Sequence, residues 1–200
     1  MSNITLPTIP TSLIWQYPPA TWQIDGHDVL QITAGPKTDL FHDPAGRSKM
    51  QNGARLVFVP DPRFTLSAHV AVNFASTFDA GALLVYADDA HWAKLCFEFS
   101  PQGKPMIVSV VTDEVSDDCN SVTLDRYDVY LRVSRLGSTF AFHYSRDAHT
   151  WHMVRHFALR GSDEVLAGFM AQSPMGAGCT VTFAGIHYTP QGVTDIRSGE

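Results

Sequence analysis

Short runs of alternating hydrophobic and polar residues recur along almost the whole chain, separated by turn-forming residues. They begin with LIWQY at 13, DVLQIT at 28, RLVFV at 55, FTLSAHVAVNF at 64, ALLVYA at 82 and HWAKLCFEF at 91. They continue with PMIVSVVT at 105, DVYLRVS at 128, TFAFHYS at 139, WHMVRHF at 151, VLAGFMAQ at 165 and CTVTFAGIHY at 179. Each run has the length and the Val, Ile, Phe, Tyr and Thr content of a β-strand, and Pro and Gly fall mainly between the runs. No segment sustains a helical stripe for three turns.

A period of two places successive side chains on opposite sheet faces. Phe64, Leu66, Ala68, Val70, Val72 and Phe74 therefore form one apolar row, with Thr65, Ser67, His69 and Asn73 facing outward. Val129, Leu131 and Val133 oppose Tyr130, Arg132 and Ser134, and Phe140, Phe142 and Tyr144 behave likewise. Strands with one wet and one dry face pack as layers around a shared core, so the expected class is all-β, two antiparallel sheets forming a sandwich. At 200 residues one domain is expected over 13–190, with an extended arm at 1–12 and a tail at 191–200.

Composition narrows the partners. Hydrophobic residues make up 44% and charged residues 17%, enough apolar material for a sizeable core. The net charge of -6, without a Lys/Arg cluster, argues against a nucleic-acid ligand. No signal-peptide pattern opens the chain and no apolar run is long enough to span a bilayer, so a cytoplasmic protein without a membrane partner is expected. Cys96, Cys119 and Cys179 are odd in number and scattered, which suits free thiols, and without a CxxC pair neither a metal nor another cofactor is expected.

The strand HWAKLCFEF carries the most suggestive chemistry. Ala93, Leu95, Phe97 and Phe99 take the core face, which leaves Trp92, Lys94, Cys96 and Glu98 together on the other. Lys94 and Glu98 are about 13 Å apart along the strand, too far to pair, so each needs a neighbour from another strand. Arg132, Tyr130, Tyr86 and Gln172 are the candidates. An outward face of aromatic and polar side chains suits sugars, whose C–H faces stack on rings while their hydroxyls take directional hydrogen bonds. Neither Trp92 nor Glu98 fills the core on this reading. Glu98 alone of the four glutamates falls in the middle of a long strand. A glycosidase would need a second carboxyl about 5 to 9 Å away, from Asp39, Asp79, Asp117 or Asp118. The ExDxxE motif of sandwich-fold glucanases is absent, because Phe99 and Ser100 follow Glu98.

Two other segments invite a functional reading. VTDEVSDDCN at 111–120 reads as an acidic loop whose Asp113, Asp117, Asp118 and Asn120 could offer oxygens to calcium, although EF-hand spacing is missing. YSRDAHTW at 144–151 reads as a hairpin turn in which Ser145 and Asp147 bond the backbone.

The strings TDLFHDP at 38, FDAGALLVYADDAHWAKLCFEFS at 78, VSVVTDEVSDD at 108 and GFMAQSP at 168, in this order, resemble the uncharacterised concanavalin A-like family often labelled regulation-of-enolase-like. The resemblance runs from about Trp15 to about Tyr188. Where that family often has a tryptophan after the Ser-Asp pair, this chain has Asp118 and Cys119. The resemblance implies a jelly-roll β-sandwich of the lectin and glucanase kind and no established reaction. Its motif positions imply a site made by Asp39, Asp79, Tyr86, Trp92, Lys94, Glu98 and Gln172, with Trp92 and Tyr86 stacking, Lys94 and Gln172 donating, and Glu98 accepting. The expected function is binding of a sugar, sugar derivative or glycan. The alternatives are a glycoside-processing enzyme with Glu98 as a catalytic residue, and a protein-interaction module with an exposed apolar patch beside the site.

Overall fold

The computed structural model describes residues 4–162 and 164–200. Sixteen strands follow in chain order: β1 (Ile14–Tyr17), β2 (Thr21–Ile24), β3 (Leu30–Thr33), β4 (Leu40–His42), β5 (Lys49–Gln51), β6 (Ala54–Phe58), β7 (Arg63–Asn73) and β8 (Ala80–Asp88). The second half adds β9 (His91–Phe99), β10 (Pro105–Asp113), β11 (Val115–Thr123), β12 (Asp128–Leu136), β13 (Thr139–Ser145), β14 (Trp151–Ala158), β15 (Leu166–Gln172) and β16 (Thr180–Thr189). Two seven-stranded antiparallel sheets pack face to face, in the orders β1-β6-β15-β8-β9-β10-β11 and β14-β13-β12-β7-β16-β3-β2, with a small β4-β5 ribbon beside them. The fold is a concanavalin A-like jelly-roll sandwich.

The main core lies between the sheets. β7 contributes Phe64, Leu66, Ala68, Val70 and Val72, while β9 contributes Ala93, Leu95 and Phe97, as the alternation requires. From the segment 1–12, expected as an extended arm, Ile4, Leu6 and Ile9 join the same core, as does Leu13.

The sequence pattern misses β2, β4, β5 and β11. The segment 111–120 is not an acidic loop. Glu114 turns the chain with a positive φ of 65°, and Val115–Thr123 returns as the edge strand β11, paired with β10 from Val115 to Thr123. An edge strand rich in Asp, Ser and Asn has weak intrinsic β preference but discourages pairing with other chains, and its partner imposes the conformation. The alternation then sends Asp117 and Asp118 to opposite faces. Among the described residues no three acidic, histidine or cysteine groups converge on a metal position.

The 144–151 segment is a turn held by local bonds. Asp147 accepts from Ser145 Oγ at 2.9 Å, His149 N at 2.9 Å and Thr150 N at 2.7 Å. These bonds hold its carboxyl well below the usual range.

A larger difference concerns the second face of the first sheet, expected to be wet. It carries its own apolar cluster, in which Leu40, Val57, Ala82, Leu84, Trp92, Cys96, Val108, Val110 and Met170 are buried. The middle strands β8, β9 and β10 are therefore covered on both sides. The continuous apolar runs GALLVYA and MIVSVV carry that signal, since a strand with two dry faces loses its alternation.

Candidate functional site

The β4-β5 ribbon covers only part of that second face. His42 N donates to Ser116 Oγ at 2.9 Å, and the His42 ring meets Trp92 edge-on at 5.6 Å. This packing closes the face around Trp92. Beyond it, toward the other end of β9, a cleft of about 280 Å³ stays open. Its polar lining is Asp39, Lys94, Glu98, Gln102, Asp118, Asn120 and Gln172, and its apolar walls include Phe41, Phe78, Met106 and Val110.

Strand register places these groups. One row across the sheet runs Gln172, Ala80, Glu98, Met106, and another runs Gly168, Leu84, Lys94, Val110, Asp118. The small side chain of Ala80 leaves the space between Gln172 and Glu98 unfilled. Into that space the long Lys94 stem extends, although the residue is 2% exposed. Its ammonium donates to Gln172 Oε1 at 2.7 Å and to Asp39 Oδ1 at 3.1 Å. Gln172 Nε2 in turn donates to the Phe78 carbonyl at 3.3 Å, and Asp39 Oδ1 also accepts from Leu40 N at 2.7 Å.

Burial opposes the Lys94 charge, yet the negative groups around it, Asp39 foremost, hold its pKa above the ordinary value. Glu98 experiences the reverse balance. Desolvation is the largest effect, Lys94 offsets part of it, and Asp118 and Asp39 add to it, so the carboxyl is pushed up to about 8. Asp118 is also raised, chiefly by burial. Glu98 and Asp118 have no ion-pair partner among the described residues, whereas the carboxylate that meets Lys94 is Asp39.

The residues expected from sequence thus fall into two groups. Asp39, Lys94, Glu98 and Gln172 meet in the cleft. Asp79, Trp92 and Tyr86 do not line it.

Trp92 is 0% exposed, with its ring centroid 5.9 Å from Lys94 Nζ, so it cannot offer a face to a ligand. Tyr86 is buried, its hydroxyl is bonded to Asp89, and its ring lies 5.1 Å from the Arg55 guanidinium carbon. Asp79 is wholly buried and accepts from Ala75 N at 2.9 Å, Ser76 N at 2.8 Å and Ser173 Oγ at 2.6 Å. It shapes the turn that carries Phe78 to the cleft mouth.

Tyr130 and Arg132, suggested as partners for Lys94 and Glu98, belong to β12 in the other sheet. Their side of β12 faces away from the shared core, so they cannot reach β9's second face.

The aromatic surface of the cleft comes instead from Phe41 and Phe78, which the sequence reading missed. Phe78 is 37% exposed and holds a φ of 67°. A positive φ at an aromatic residue is unfavourable, and its persistence requires a surrounding structure that fixes it. Here Phe78 N donates to Phe99 O at 2.8 Å, and the Asp79 turn fixes the other side. Ordinary strand alternation could not reveal this residue, because it precedes β8 in a loop.

Solved structures share the class of the fold, a two-sheet concanavalin A-like sandwich. A GH43 protein from Bacillus licheniformis superposes with a TM-score of 0.69 at 15% identity, over 88% of this chain and 36% of that one. An alginate lyase from Alteromonas sp. 272 gives 0.58 at 11% identity, over 88% and 93%. At such identities the likeness is one of fold alone.

The particular family is narrower. Residues 15–191 match the family described as "Protein of unknown function (DUF1349)", and the chain belongs to it. It is 30% identical over 156 residues, 78% of each chain, to "Regulation of enolase protein 1" of Saccharomyces cerevisiae. A functionally unknown protein from Saccharomyces cerevisiae superposes with a TM-score of 0.82 at 28% identity, over 88% of this chain and 95% of that one.

Proposed function

We propose that this chain binds a sugar or polyol in the cleft between Lys94, Glu98 and Phe78. The observation that carries the reading is the pairing of fixed polar groups with an exposed aromatic side chain in one small cavity. Gln172 and Asp39 are both fixed by Lys94, and Phe78 and Phe41 line the same cleft. A pyranose offers hydroxyls to the first set and a C–H face to the second. Glu98 acts as a hydrogen-bond donor at neutral pH, because its carboxyl keeps its proton up to about 8. The sugar-related names of the two sandwich neighbours add support at the level of class. On this reading the protein works in the cytosol, consistent with Cys96, Cys119 and Cys179 as free thiols.

One feature favours a second, enzymatic reading. Glu98 and Asp118, two carboxyl groups whose proton affinities are both raised chiefly by burial, line the same cleft, and glycoside cleavage uses a pair of carboxyl groups.

The binding reading is tested by ligand-observed NMR with neutral, amino and acid sugars and polyols at millimolar concentration. Saturation transfer from the protein to at least one compound, abolished by Phe78→Ala, is expected. No transfer to any of them overturns the reading. Release of a reducing end from an aryl glycoside, lost in both Glu98→Gln and Asp118→Asn, decides for the enzyme.

A further inference from the structure

The charges of the cleft do not balance, and the imbalance has a direction. Among the described residues Lys94 is the only cation lining it, and its ammonium is already committed to Asp39 at 3.1 Å and Gln172 at 2.7 Å. Glu98 and Asp118 also line the cleft, and neither has a cation of its own among the described residues. Asp117, next in sequence to Asp118, pairs with Arg155 at 3.0 Å on the opposite side of β11, so that arginine is spent elsewhere. An acid sugar entering the cleft would meet two unpaired carboxyl groups and an ammonium with its charge already matched.

Resting on the sugar-binding reading above, we infer that the cleft selects a hydroxylated primary amine, an amino sugar or an amino polyol, and draws its ammonium group to the unpaired carboxyl groups of Glu98 and Asp118 that line it. Asn120, on β11 with Asp118, and Gln172 line the same cleft with amide groups that can bond hydroxyls of the ligand. A divalent ion is a poorer occupant, since no three ligating acidic, histidine or cysteine groups converge among the described residues. An ammonium needs no such convergence, because it takes separate hydrogen bonds to separate acceptors.

The raised proton affinity of both carboxyls agrees with this geometry. Burial foremost, and the surrounding carboxylates with it, make the charged forms costly. An arriving ammonium removes that cost, and Glu98 then gives up its proton to solvent and becomes an acceptor. Binding of an amine at pH 7 should therefore release protons, and binding of a neutral sugar should not.

Isothermal titration calorimetry with two matched pairs, glucosamine with glucose and galactosamine with galactose, decides the matter. Glucuronate serves as the acid probe, and each titration is run in two buffers of different ionisation enthalpy. The expected result is at least a tenfold preference for one amine over its hydroxyl counterpart, proton release close to one per amine bound, and no heat from glucuronate. In Asp118→Asn the preference should fall toward unity, and in Glu98→Gln the proton release should vanish. Equal or tighter binding of the neutral sugar overturns the inference and leaves the sugar-binding reading intact, as does a preference that both variants retain. Absence of heat from every saccharide overturns both.

Discussion

Lys94 reaches over the neighbouring strand β8 to donate a 2.7 Å hydrogen bond to Gln172 Oε1 on β15. The bridge exists because β8 presents Ala80 and Ala82 beneath it, side chains too short to block the path. It fastens three strands by side chains where backbone pairing already joins them. Its net effect on stability depends on how well the buried ammonium is compensated, and Asp39 supplies that compensation from outside the sheet.

Removing the ammonium should therefore cost stability without touching the core. Lys94→Met leaves Asp39 and Gln172 without their partner at a largely buried position, and a loss of about 3 kcal/mol is expected from the behaviour of broken buried pairs. Urea denaturation checks the value. In a double-mutant cycle Gln172→Leu should couple to Lys94→Met, and Phe157, distant on the other sheet, should not.

Trp92 and Phe78 should behave in opposite ways. Trp92 is 0% exposed, so Trp92→Ala opens a large cavity and should cost about 3 to 5 kcal/mol, comparable with Phe97→Ala in the main core. Phe78→Ala at the exposed cleft mouth should change stability by less than about 1 kcal/mol. Thermal unfolding of the three variants separates the two faces of the site, the buried buttress and the exposed wall.

Glu98 should make stability pH-dependent. Its pKa rises from the ordinary 4.5 to about 8 on folding, so between those values the folded state holds a proton that the unfolded chain has released. Stability should fall as pH increases across that window, and be level below about 4.5 and above about 8 as far as this group is concerned. Glu98→Gln mimics the protonated form and should remove this slope, gaining about 1 to 3 kcal/mol over wild type at pH 9 once partial exposure is discounted. Denaturant midpoints measured from pH 5 to pH 9 show whether the two curves diverge.

The legibility of the fold and of the site differs for identifiable reasons. The twelve alternating runs give twelve of the fourteen strands of the two sheets, all but the edge strands β2 and β11, since the direction of each side chain follows from local backbone geometry. The placement of Ala93, Leu95 and Phe97 in the core and of Lys94 and Glu98 on the other face was legible for the same reason. Asp39 and Gln172 were candidate partners on the sequence pattern and again among the positions the resemblance implies, and the cleft gathers them from distant parts of the chain. Phe41 and Phe78 had no periodic signal, one lying on a three-residue strand and the other in a loop.

The sequence by itself determined which way each side chain points relative to its own strand, because that depends only on the alternation of Cβ atoms. What lies opposite was decided by tertiary structure. The β4-β5 ribbon folds over Trp92 and turns an outward face into a second core, while β12 joins β7 rather than β9 and carries Arg132 and Tyr130 away from Glu98. Strand partners are chosen by the burial of whole faces, and loop closure discriminates only weakly among long connections, so no local run encodes them.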